Sequence, residues 1–509
     1  MGLMAPLAIA ICLVCWSAPS SAAETETKEA APAAEEAKEK AEGKSPDLFT
    51  DLKVLNQVEK QQAAVQELYK VARGVLSAKR EATYAGLTQD ATFQKFCQEN
   101  RLTHLGGPML GSLSPDGVKV WVRTVRPAKV EVAVDGFAKP FGPVSSTAES
   151  DLGAIVPVTG LKPATRYAYR VLVDGQPIAM LDQAAITMPS DAKTAKTRIA
   201  FGTCPHRWGL GNAKQADQIR SRQPAALLAY GDIAVQDRYN HLGLHRADYL
   251  MRDCFAAWRS LVCAVPVYTA WDDHDYFGND LAGIPPGYTD EDRRQVRDVF
   301  RSSWINPGCG SGEEGIYFRT RIGPCDVIML DTRYFRTGKK GSYLGEAQMA
   351  WLEKQLLDCQ GPFIVISSGT MWSDYVSNGK DSWGKCDPAG RERIFALIEK
   401  HRIPGVLLIS GDRHGARGFR IPRPSGYAFY EFEPASLGAR TGPKVSDPAW
   451  KDVQLFGIDK QYAFGEFEFD SSAADPEVAF RLIDDGGKTI YELKLKRSQL
   501  TPPGPGAGK

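Results

Sequence analysis

The chain of 509 residues is longer than one ordinary domain, and with 43% hydrophobic and 24% charged residues its composition is that of a globular protein. The formal net charge is only +1 and no basic block interrupts the sequence, so whole-chain electrostatics favour neither nucleic acid nor an anionic membrane as partner. We therefore expect no nucleic acid recognition. No segment beyond the N-terminus predicts a transmembrane span. The oligomeric state stays open.

The N-terminus has the pattern of an export signal. An apolar stretch from Leu7 to Trp16 precedes small residues that end at Ala23, a pattern that suits signal-peptidase cleavage. We therefore predict a signal peptide over residues 1–23 and a secreted or periplasmic protein. Residues 24–46, rich in Glu, Ala and Lys, cannot bury a core and predict a disordered tether, which could keep the protein near the envelope.

The cysteines are compatible with a reducing or an oxidising compartment. Two of the ten lie in the predicted signal peptide, and the other eight could form disulfides in an oxidising compartment. The pairing cannot be read from the sequence. If one of these cysteines binds a metal, an odd number remains and at least one further thiol is free.

Residues 47–195 predict two different structures. In 47–99, apolar residues such as Leu48, Leu52 and Leu55 recur at helical spacing, which predicts a helical segment that packs against the main body. In 100–195, short alternating runs between Gly and Pro turns predict an antiparallel β-sandwich. The run from Leu161 to Tyr169 resembles the strand entry of fibronectin type III domains, so we predict an all-β, fibronectin-III-like domain here.

Residues 196–485 alternate strand and helix patterns, which predicts a layered α/β domain, and 486–509 reads as a Pro/Gly-containing tail. The predicted strands are Thr197–Gly202, Ala226–Tyr230, Val265–Ala270, Val327–Leu330, Phe363–Ser367 and Gly405–Ser410. The predicted helices are Ala213–Arg222, Tyr249–Ser260, Gly345–Leu357 and Gly390–His401.

Side chains that can bind metal follow four of these strands. They are Cys204, then Asp232, then the run Asp272-Asp273-His274-Asp275 with Asn279 shortly after, and finally Asp412 with His414. Ionised carboxylates are costly to bury unpaired, and ligands of open α/β sheets gather beyond the carboxyl ends of the strands. Hard carboxylates with imidazole and one thiolate suit a transition metal beside a harder ion. The pattern therefore predicts a metal site.

The order of these motifs, together with Leu330-Asp-Thr-Arg333, resembles the PhoD-like alkaline phosphatase family of calcineurin-like metallophosphoesterases. Gly345–Leu352 and Asp381-Ser-Trp383 also resemble stretches of that family, and the resemblance covers roughly residues 100–485. It implies a four-layer metallophosphatase-type β-sandwich flanked by helices. It also implies an exported phosphoester hydrolase of the alkaline phosphatase or phosphodiesterase type, in which a metal-bound hydroxide attacks phosphorus.

The resemblance also implies roles for single residues. Cys204 and His414 would bind Fe(3+), Asp232 would bridge two metals, and Asp412 with Asp273 or Asn279 would hold a second ion, expected to be Ca(2+). His274 would be the general acid or a hydrogen-bond donor to the transition state. Arg333 could bind a phosphate oxygen, or it could only form a salt bridge with Asp331.

One departure from the family is Val235, which stands where the family usually carries a tyrosine ligand of iron. Its loss leaves room for another divalent metal, for substitution by Tyr239 or Asp237, or for a catalytically silent binding protein with this fold. His206 is an alternative ligand or a partner of one. His241 and His245 are predicted to be surface or loop histidines, and His104 and His401 are predicted to be structural. A third hypothesis makes the β-sandwich the functional part, but the density of acidic residues in the α/β half argues against it.

Overall fold

The computed structural model describes residues 48–191, 195–338, 340–375, 381–443 and 445–504. The predicted signal peptide (1–23), the predicted tether (24–46) and residue 47 lie outside these residues. Within the described part of the chain, none of the helices combines the length and the apolar character that crossing a bilayer requires.

Within the described residues, four helices precede strand His104–Ser114: Leu48–Leu55, Ala63–Leu76, Tyr84–Leu87 and Ala91–Glu99. Their apolar stripe is buried in the main core, where Tyr69, Leu76 and Phe93 have at most 1% of their surface exposed. Thr83 and Asp90 start helices Tyr84–Leu87 and Ala91–Glu99 by accepting hydrogen bonds from backbone amides three residues ahead. The segment therefore packs against the main body rather than presenting a free helix face.

A buried charge network joins this helical segment to the rest of the protein. Asp51 is fully buried and pairs with Arg73 at 2.7 Å, with Arg207 at 2.6 Å and with Arg238 at 2.9 Å. Arg207 and Arg238 also pair with Asp248. Arg207 lies in the short helix His206–Gly209 and Arg238 in the loop after strand Ala226–Tyr230, so helix Leu48–Leu55 helps to fix both of these segments.

Two antiparallel sheets follow the helices. Their strands are β1 His104–Ser114, β2 Gly117–Thr124, β3 Ala128–Val134, β4 Phe141–Ser146, β5 Gly153–Val158, β6 Arg166–Val173, β7 Gln176–Pro177 and β8 Ala185–Thr187. One sheet has the order β1-β2-β5, the other β4-β3-β6-β7 with β8 paired to β6. Alternate valines, such as Val120 and Val132, share one apolar core between the sheets. The likeness to fibronectin type III domains stays a prediction.

The remainder is a mixed α/β structure built on two larger sheets. Their strands are β9 Thr197–Gly202, β10 Ala226–Tyr230, β11 Val267–Ala270, β12 Phe318–Ile322, β13 Cys325–Met329, β14 Phe363–Ser367, β15 Val406–Ile409, β16 Ala416–Pro422, β17 Ala428–Pro434, β18 Gln454–Ile458, β19 Ala463–Asp470, β20 Glu477–Asp484 and β21 Thr489–Lys496. The six-stranded sheet has the order β11-β10-β9-β19-β20-β21, and the seven-stranded sheet β12-β13-β14-β15-β17-β16-β18. Strands β9, β10 and β11 are parallel, as are β13, β14, β15 and β17.

The two sheets pack face to face. The ring of Phe432 in β17 lies 5.6 Å from that of Phe467 in β19 and 4.2 Å from that of Phe480 in β20, centroid to centroid. Along β14, Val365 belongs to this shared core, whereas Ile364 and Ile366 face a second cluster with residues of helices Gly345–Asp358 and Pro388–Lys400. Because side chains alternate along a strand, one apolar run can supply both faces of a buried sheet.

Nine helices of the described residues lie between these strands. They are His206–Gly209, Ala213–Ser221, Leu242–Cys254, Ala256–Val262, Asp273–Tyr276, Asp290–Ser303, Gly345–Asp358, Trp383–Cys386 and Pro388–Lys400. The helix predicted over Tyr249–Ser260 is interrupted, because Phe255 is extended with ψ of 120° between two helices. Asp290–Ser303 was not among the predicted helices, although Thr289 and Asp292 form a capping box at its start.

One further expectation changes at this level. The segment 486–509, predicted as a tail, contains strand β21, which pairs with β20 along the edge of the six-stranded sheet. Its alternating Thr, Ile, Tyr and Leu residues fit a half-exposed edge strand. The eight cysteines from Cys97 to Cys386 are all free thiols.

The Asp51 network predicts an unusually large stability effect for one residue of the first helix. Asp51→Ala leaves three buried or nearly buried guanidinium groups short of a partner, and we expect a loss of about 3–5 kcal/mol in the free energy of unfolding. Glu67→Ala is the matched control, since Glu67 pairs with Lys70 at the surface and should contribute less than about 1 kcal/mol. Urea unfolding of both variants measures the difference, and equal losses would contradict the account.

Candidate metal centre

The four predicted strand ends meet at one edge of the sheet pair. Strands β9, β10 and β11 are parallel neighbours in register, with Ala229 opposite Gly202 and Tyr230 opposite Ala270. The residues that follow them therefore leave the sheet side by side. Strand β15 of the facing sheet ends at Ile409 and delivers the Asp412 loop to the same edge. Sheet register and face-to-face packing together create the shared pocket.

Asp232 lies at the centre of this pocket. Its ligand atoms fall within 4.8 Å of those of three pairs of neighbours: Cys204 with His414, His206 with His274, and Asp272 with Asp273. The Sγ of Cys204 lies 3.6 Å from Oδ2 of Asp232. Asp232 is completely buried, and its Oδ1 has no hydrogen-bond partner among the described residues. A buried carboxylate oxygen without a partner is what a bound cation would satisfy.

Backbone hydrogen bonds tie the loops to one another. The amide of Cys204 donates to the carbonyl of Gly231 at 3.0 Å, and the amide of His206 donates to the carbonyl of Asp232 at 2.8 Å. Ser436, after β17, donates from its Oγ to the carbonyl of Cys204 at 2.8 Å. The donor side chains are thus placed by a shared backbone framework and not by independent loops.

The donor residues themselves adopt left-handed backbone conformations. The φ angles are +50° at Cys204, +45° at His206, +54° at Asp232, +72° at Asp412 and +58° at His414. Each such non-glycine residue costs roughly 1–2 kcal/mol relative to the right-handed region. Strain of this kind persists where the side chain has a task that glycine could not perform. The clustering of five strained residues is independent support for a functional site.

The glycines that precede two of the aspartates serve different purposes. Gly231 has φ of +79° and makes the turn after β10. At Gly411 a Cβ atom would overlap Oγ1 of Thr203, so the residue is small because two loops approach closely there. Asp232 and Asp412, which follow these glycines, have positive φ angles and continue the turn of the chain.

The electrostatics of the pocket call for positive charge. Burial and the neighbouring carboxylates Asp273 and Asp272 raise the pKa of Asp232 and of Asp412 well above the usual value, although His274 opposes the shift at Asp232. Burial also raises the pKa of the Cys204 thiol, as does Asp232. The positively charged side chains of the protein therefore do not fully neutralise the negative charge of this cluster. A metal ion would supply the missing charge, and the donor set of thiol, imidazole and carboxylate fits one.

Asp273 and Asp275 are used differently although they are two residues apart. Burial raises the pKa of Asp273, but Arg333 and His274 outweigh it and hold the pKa below the usual value. Asp275 accepts hydrogen bonds from the consecutive backbone amides of Ile233, Ala234 and Val235, at 2.8 to 3.0 Å. Asp275 therefore shapes the loop that carries Asp232, and it is not free to act as a ligand.

His274 is held by a carboxylate that the strand-end pattern does not contain. Its Nδ1 lies 2.7 Å from Oδ1 of Asp237, which also accepts the amide of Asn279 at 2.8 Å. Burial lowers the pKa of His274, but Asp232 and the hydrogen bond with Asp237 outweigh it and raise the pKa to about 11. Nε2 of Gln236 also lies 2.8 Å from Nδ1, so Nδ1 is enclosed by Asp237 and Gln236, and Nε2 is the nitrogen left to act at the site.

Arg333 forms a buried ion pair with Asp272, not with Asp331. Its Nε and Nη2 donate to the two oxygens of Asp272, the second at 2.8 Å, and Nη1 lies 3.5 Å from Asp381. Asp331 instead accepts hydrogen bonds from Trp271 Nε1 and from three backbone amides. The guanidinium group is therefore largely occupied within the protein, which favours a structural role over phosphate binding.

The remaining residues singled out in the sequence analysis lie farther from Asp232. Asn279 is exposed and its side-chain nitrogen donates to Asp280 at 3.0 Å, so it stands at the solvent edge of the pocket. His241 and His245 were expected at the surface, but His245 is 1% exposed and its Nε2 lies 2.7 Å from the carbonyl of Tyr239. His241 accepts the amide of Leu244 and begins helix Leu242–Cys254. Neither belongs to the cluster around Asp232.

Two members of the site are not apparent from the strand-end motifs. Asp237 enters the sequence analysis only as a substitute metal ligand, whereas the structure pairs it with His274. His206 is buried next to His414, with 3.4 Å between their Nε2 atoms. The sequence signal for both is closeness in the chain to Asp232 and Cys204, which is too weak by itself to assign a role.

Comparisons with known proteins agree with this geometry. A family model described as PhoD-like phosphatase matches residues 212–480, more than half of the chain. The chain belongs to the PhoD-like phosphatase family. A second model, for a domain of unknown function (DUF7800), matches residues 101–191, which contain the two antiparallel sheets. A search of curated protein sequences finds no match.

Solved structures support the same fold. A structure of PhoD has a TM-score of 0.64 at 17% identity, covering 79% of this chain and 93% of that one. A purple acid phosphatase, PPD1 from yellow lupin (Lupinus luteus) seeds, has a TM-score of 0.56 at 14% identity, covering 77% of this chain and 74% of that one. At these identities the likeness shows the fold alone: a mixed α/β metallophosphatase fold with several sheets.

The Arg333–Asp272 pair gives a test of its role. Arg333→Gln leaves a buried carboxylate unpaired, so we expect a loss of about 3–5 kcal/mol in the free energy of unfolding. The surface arginine Arg393, which pairs with Glu346 and Glu353, is the control, and Arg393→Gln should cost less than about 1 kcal/mol. Chemical unfolding measures both. Unchanged stability of Arg333→Gln would instead favour a role in binding substrate.

Proposed function

We propose that the protein is a metal-dependent phosphoester hydrolase whose active site is the pocket around Asp232. The observation that carries the proposal is the convergence of Cys204, His414 and the acidic run after β11 on one buried carboxylate, in a chain of the PhoD-like phosphatase family. Such a cluster cannot be explained by folding stability, because its carboxylates repel one another and its backbone is strained.

The residues fit a metal centre. Cys204, Asp232 and His414 would hold one cation, and Asp232 with Asp273 and Asp412 would hold another. A bound cation would supply Lewis-acid charge to a phosphoryl group and to an attacking water. In the sequence-based assignment these cations are Fe(3+) and Ca(2+). We retain that pair as a proposal, together with Asn279 as a further oxygen donor at the rim.

The protein's own residues position the substrate and its protons. Asp232 is buried on the floor of the pocket, while the side chains of His274 and Asp412 are 15% and 14% exposed. A phosphate group entering from solvent would therefore meet His274 before it meets Asp232. Asp237 holds the Nδ1 proton, so Nε2–H of His274 is available to donate to a phosphoryl oxygen or to the leaving group.

The same geometry supports a proposal about the size of the substrate group. A buried floor with a partly exposed histidine suits a small phosphoester group that projects from a larger molecule. Export through residues 1–23, predicted from their sequence, would place this activity in a secreted or periplasmic location. That residues 100–195 form a fibronectin-III-like domain is likewise a proposal.

The second candidate is a catalytically silent binding protein with this fold. Val235 favours it, since a buried apolar side chain stands three residues after the central aspartate, and its amide is bound by Asp275. Metal binding is common to both candidates, so turnover alone separates them.

The first prediction of the hydrolase proposal concerns Asp232. We expect the purified wild-type protein to contain bound metal and to hydrolyse a chromogenic phosphomonoester or phosphodiester, and we expect Asp232→Asn to lose both. The ligand atoms of Asp232 lie within 4.8 Å of those of all three pairs of neighbours, so no other single substitution removes as much of the site. Elemental analysis and absorbance assays on the same preparations measure the two properties.

Asp298→Asn serves as the control, because Asp298 is 55% exposed on the surface of helix Asp290–Ser303. It should retain metal and activity. Wild-type protein that holds stoichiometric metal but hydrolyses nothing in a broad phosphoester panel would support the silent candidate and refute the hydrolase.

The second prediction separates proton handling from metal binding. Asp237→Asn removes the carboxylate that fixes Nδ1–H of His274, and we expect kcat to fall about 10²-fold or more while metal content stays at the wild-type level. KM should change little, since binding of the phosphate does not require this proton. A variant with normal kcat, or one that loses its metal, would contradict the assignment of Asp237 to His274.

A further inference from the structure

We propose that Arg440 selects substrates by binding a second anionic group that lies beside the scissile phosphoester. The substrate class would be phosphoesters whose alcohol part carries a carboxylate or a further phosphate of its own. This inference rests on the proposed hydrolase and adds which substrates that site would prefer. Arg440 lies in the loop that follows β17.

The backbone on both sides of Arg440 is fixed to the segments that form the pocket. On one side, Trp208 Nε1 donates to the carbonyl of Ala439 at 3.1 Å. On the other side, the amide of Gly442 donates to the carbonyl of His414, also at 3.1 Å. Because this backbone is already ordered, less conformational freedom is lost when the side chain binds a ligand.

The guanidinium group of Arg440 lies beside the pocket and not inside it. The residue is exposed, and its Cζ lies 5.7 Å from the ring centroid of Trp208. That ring stacks in turn on the ring of His206, with centroids 5.0 Å apart and an angle of 7° between the planes. Burial lowers the pKa of His206 and of His414, and the positive charge of Arg440 lowers both further. The charge of Arg440 therefore acts on the pocket from its rim.

Arg440 is also available to bind an anion, unlike Arg333 and Arg413. Arg333 is paired with Asp272, and Arg413 is 7% exposed with its Nη1 4.0 Å from Asp412. Within the described residues, Arg440 has no carboxylate partner. A guanidinium group held over an aromatic ring keeps its in-plane N–H donors available, and their fork matches the oxygens of a carboxylate or a phosphate.

The scissile phosphoryl group itself has a different place. It has to reach the cations at Asp232, which is completely buried, and it meets His274 on the way. The side chain of Arg440 is exposed and contacts Trp208, so an anion bound there lies outside the floor of the pocket. The alcohol part of a bound phosphoester projects from the floor towards solvent. An anionic substituent on that part can bind Arg440 while the phosphoryl group binds the cations.

The test compares non-hydrolysable ligands that differ in one charged group. In all of them a phosphonate replaces the phosphoester: propylphosphonate has no further charge, 3-phosphonopropionate adds a carboxylate, and propane-1,3-bisphosphonate adds a second phosphonate. Titration calorimetry measures Kd for the metal-loaded full chain as wild type, Arg440→Gln and Arg440→Lys. Arg440 is exposed, so these substitutions should leave the protein folded. Arg170→Gln is the matched control, since Arg170 is exposed on β6 of the antiparallel sheets.

We expect the wild type to bind the two ligands with a second anionic group about 10-fold or more tightly than propylphosphonate, the effect of one charge-assisted hydrogen bond. Arg440→Gln should reduce this preference to about 2-fold or less, and Arg440→Lys should keep part of it because its charge remains but the fork is lost. The control should keep the wild-type preference. A preference for only one of the two charged ligands would support the proposal and identify the anion.

Three results would overturn the role of Arg440. They are a wild type without the preference, an unchanged preference in Arg440→Gln, and equal weakening of all three ligands in that variant, which would place the guanidinium group at the phosphoryl group. Wild-type protein that shows the preference but hydrolyses none of the corresponding phosphate esters would refute the hydrolase and leave the anion-binding role of Arg440 standing. Metal-loaded wild type that binds none of the ligands would overturn both.

Discussion

The crowding of buried carboxylates around Asp232 is the constraint on which the rest of the structure depends. Asp232, Asp272 and Asp273 have ligand atoms within 4.8 Å of one another, and all three are buried. Two unit charges 4 Å apart repel by roughly 4 kcal/mol at an effective dielectric constant of about 20. Arg333 compensates Asp272, but Oδ1 of Asp232 has no hydrogen-bond partner in the part of the chain that the structure describes. The fold tolerates this arrangement because a cation can complete it.

Elements far from the strand ends hold the cluster in place. Asp275 binds three successive amides of the loop after β10, and Asp237 fixes the ring of His274. Asp51, from the first helix, reaches Arg207 and Arg238 in the loops that carry His206 and Asp237. The helical segment before the β-sandwich is therefore part of the support of the site, since its charges fix two of the site loops.

Much of this architecture could be predicted because it depends on local patterns. Apolar runs such as Phe363–Ser367 predicted buried strands, and the acids directly after them predicted where ligands gather. Residues that act through long-range contacts could not be assigned in this way. Asp272, Asp273 and Asp275 are neighbours in one run, yet one binds Arg333, one faces the pocket and one caps a loop. The roles of Asp272 and Asp275 depend on partners 40 to 61 positions away along the chain. A last strand pair was predicted after Phe469, but its second strand, Thr489–Lys496, was assigned to the tail because edge strands carry a weak, half-polar signal.

Anomalous scattering from crystals of the metal-loaded protein tests the central claim most directly. The account predicts a strong anomalous peak in the pocket, within bonding distance of a carboxylate oxygen of Asp232 and between Cys204 and His414. A pocket that stays without a peak while metal is present in the crystal, or a metal bound only elsewhere on the molecule, would contradict it.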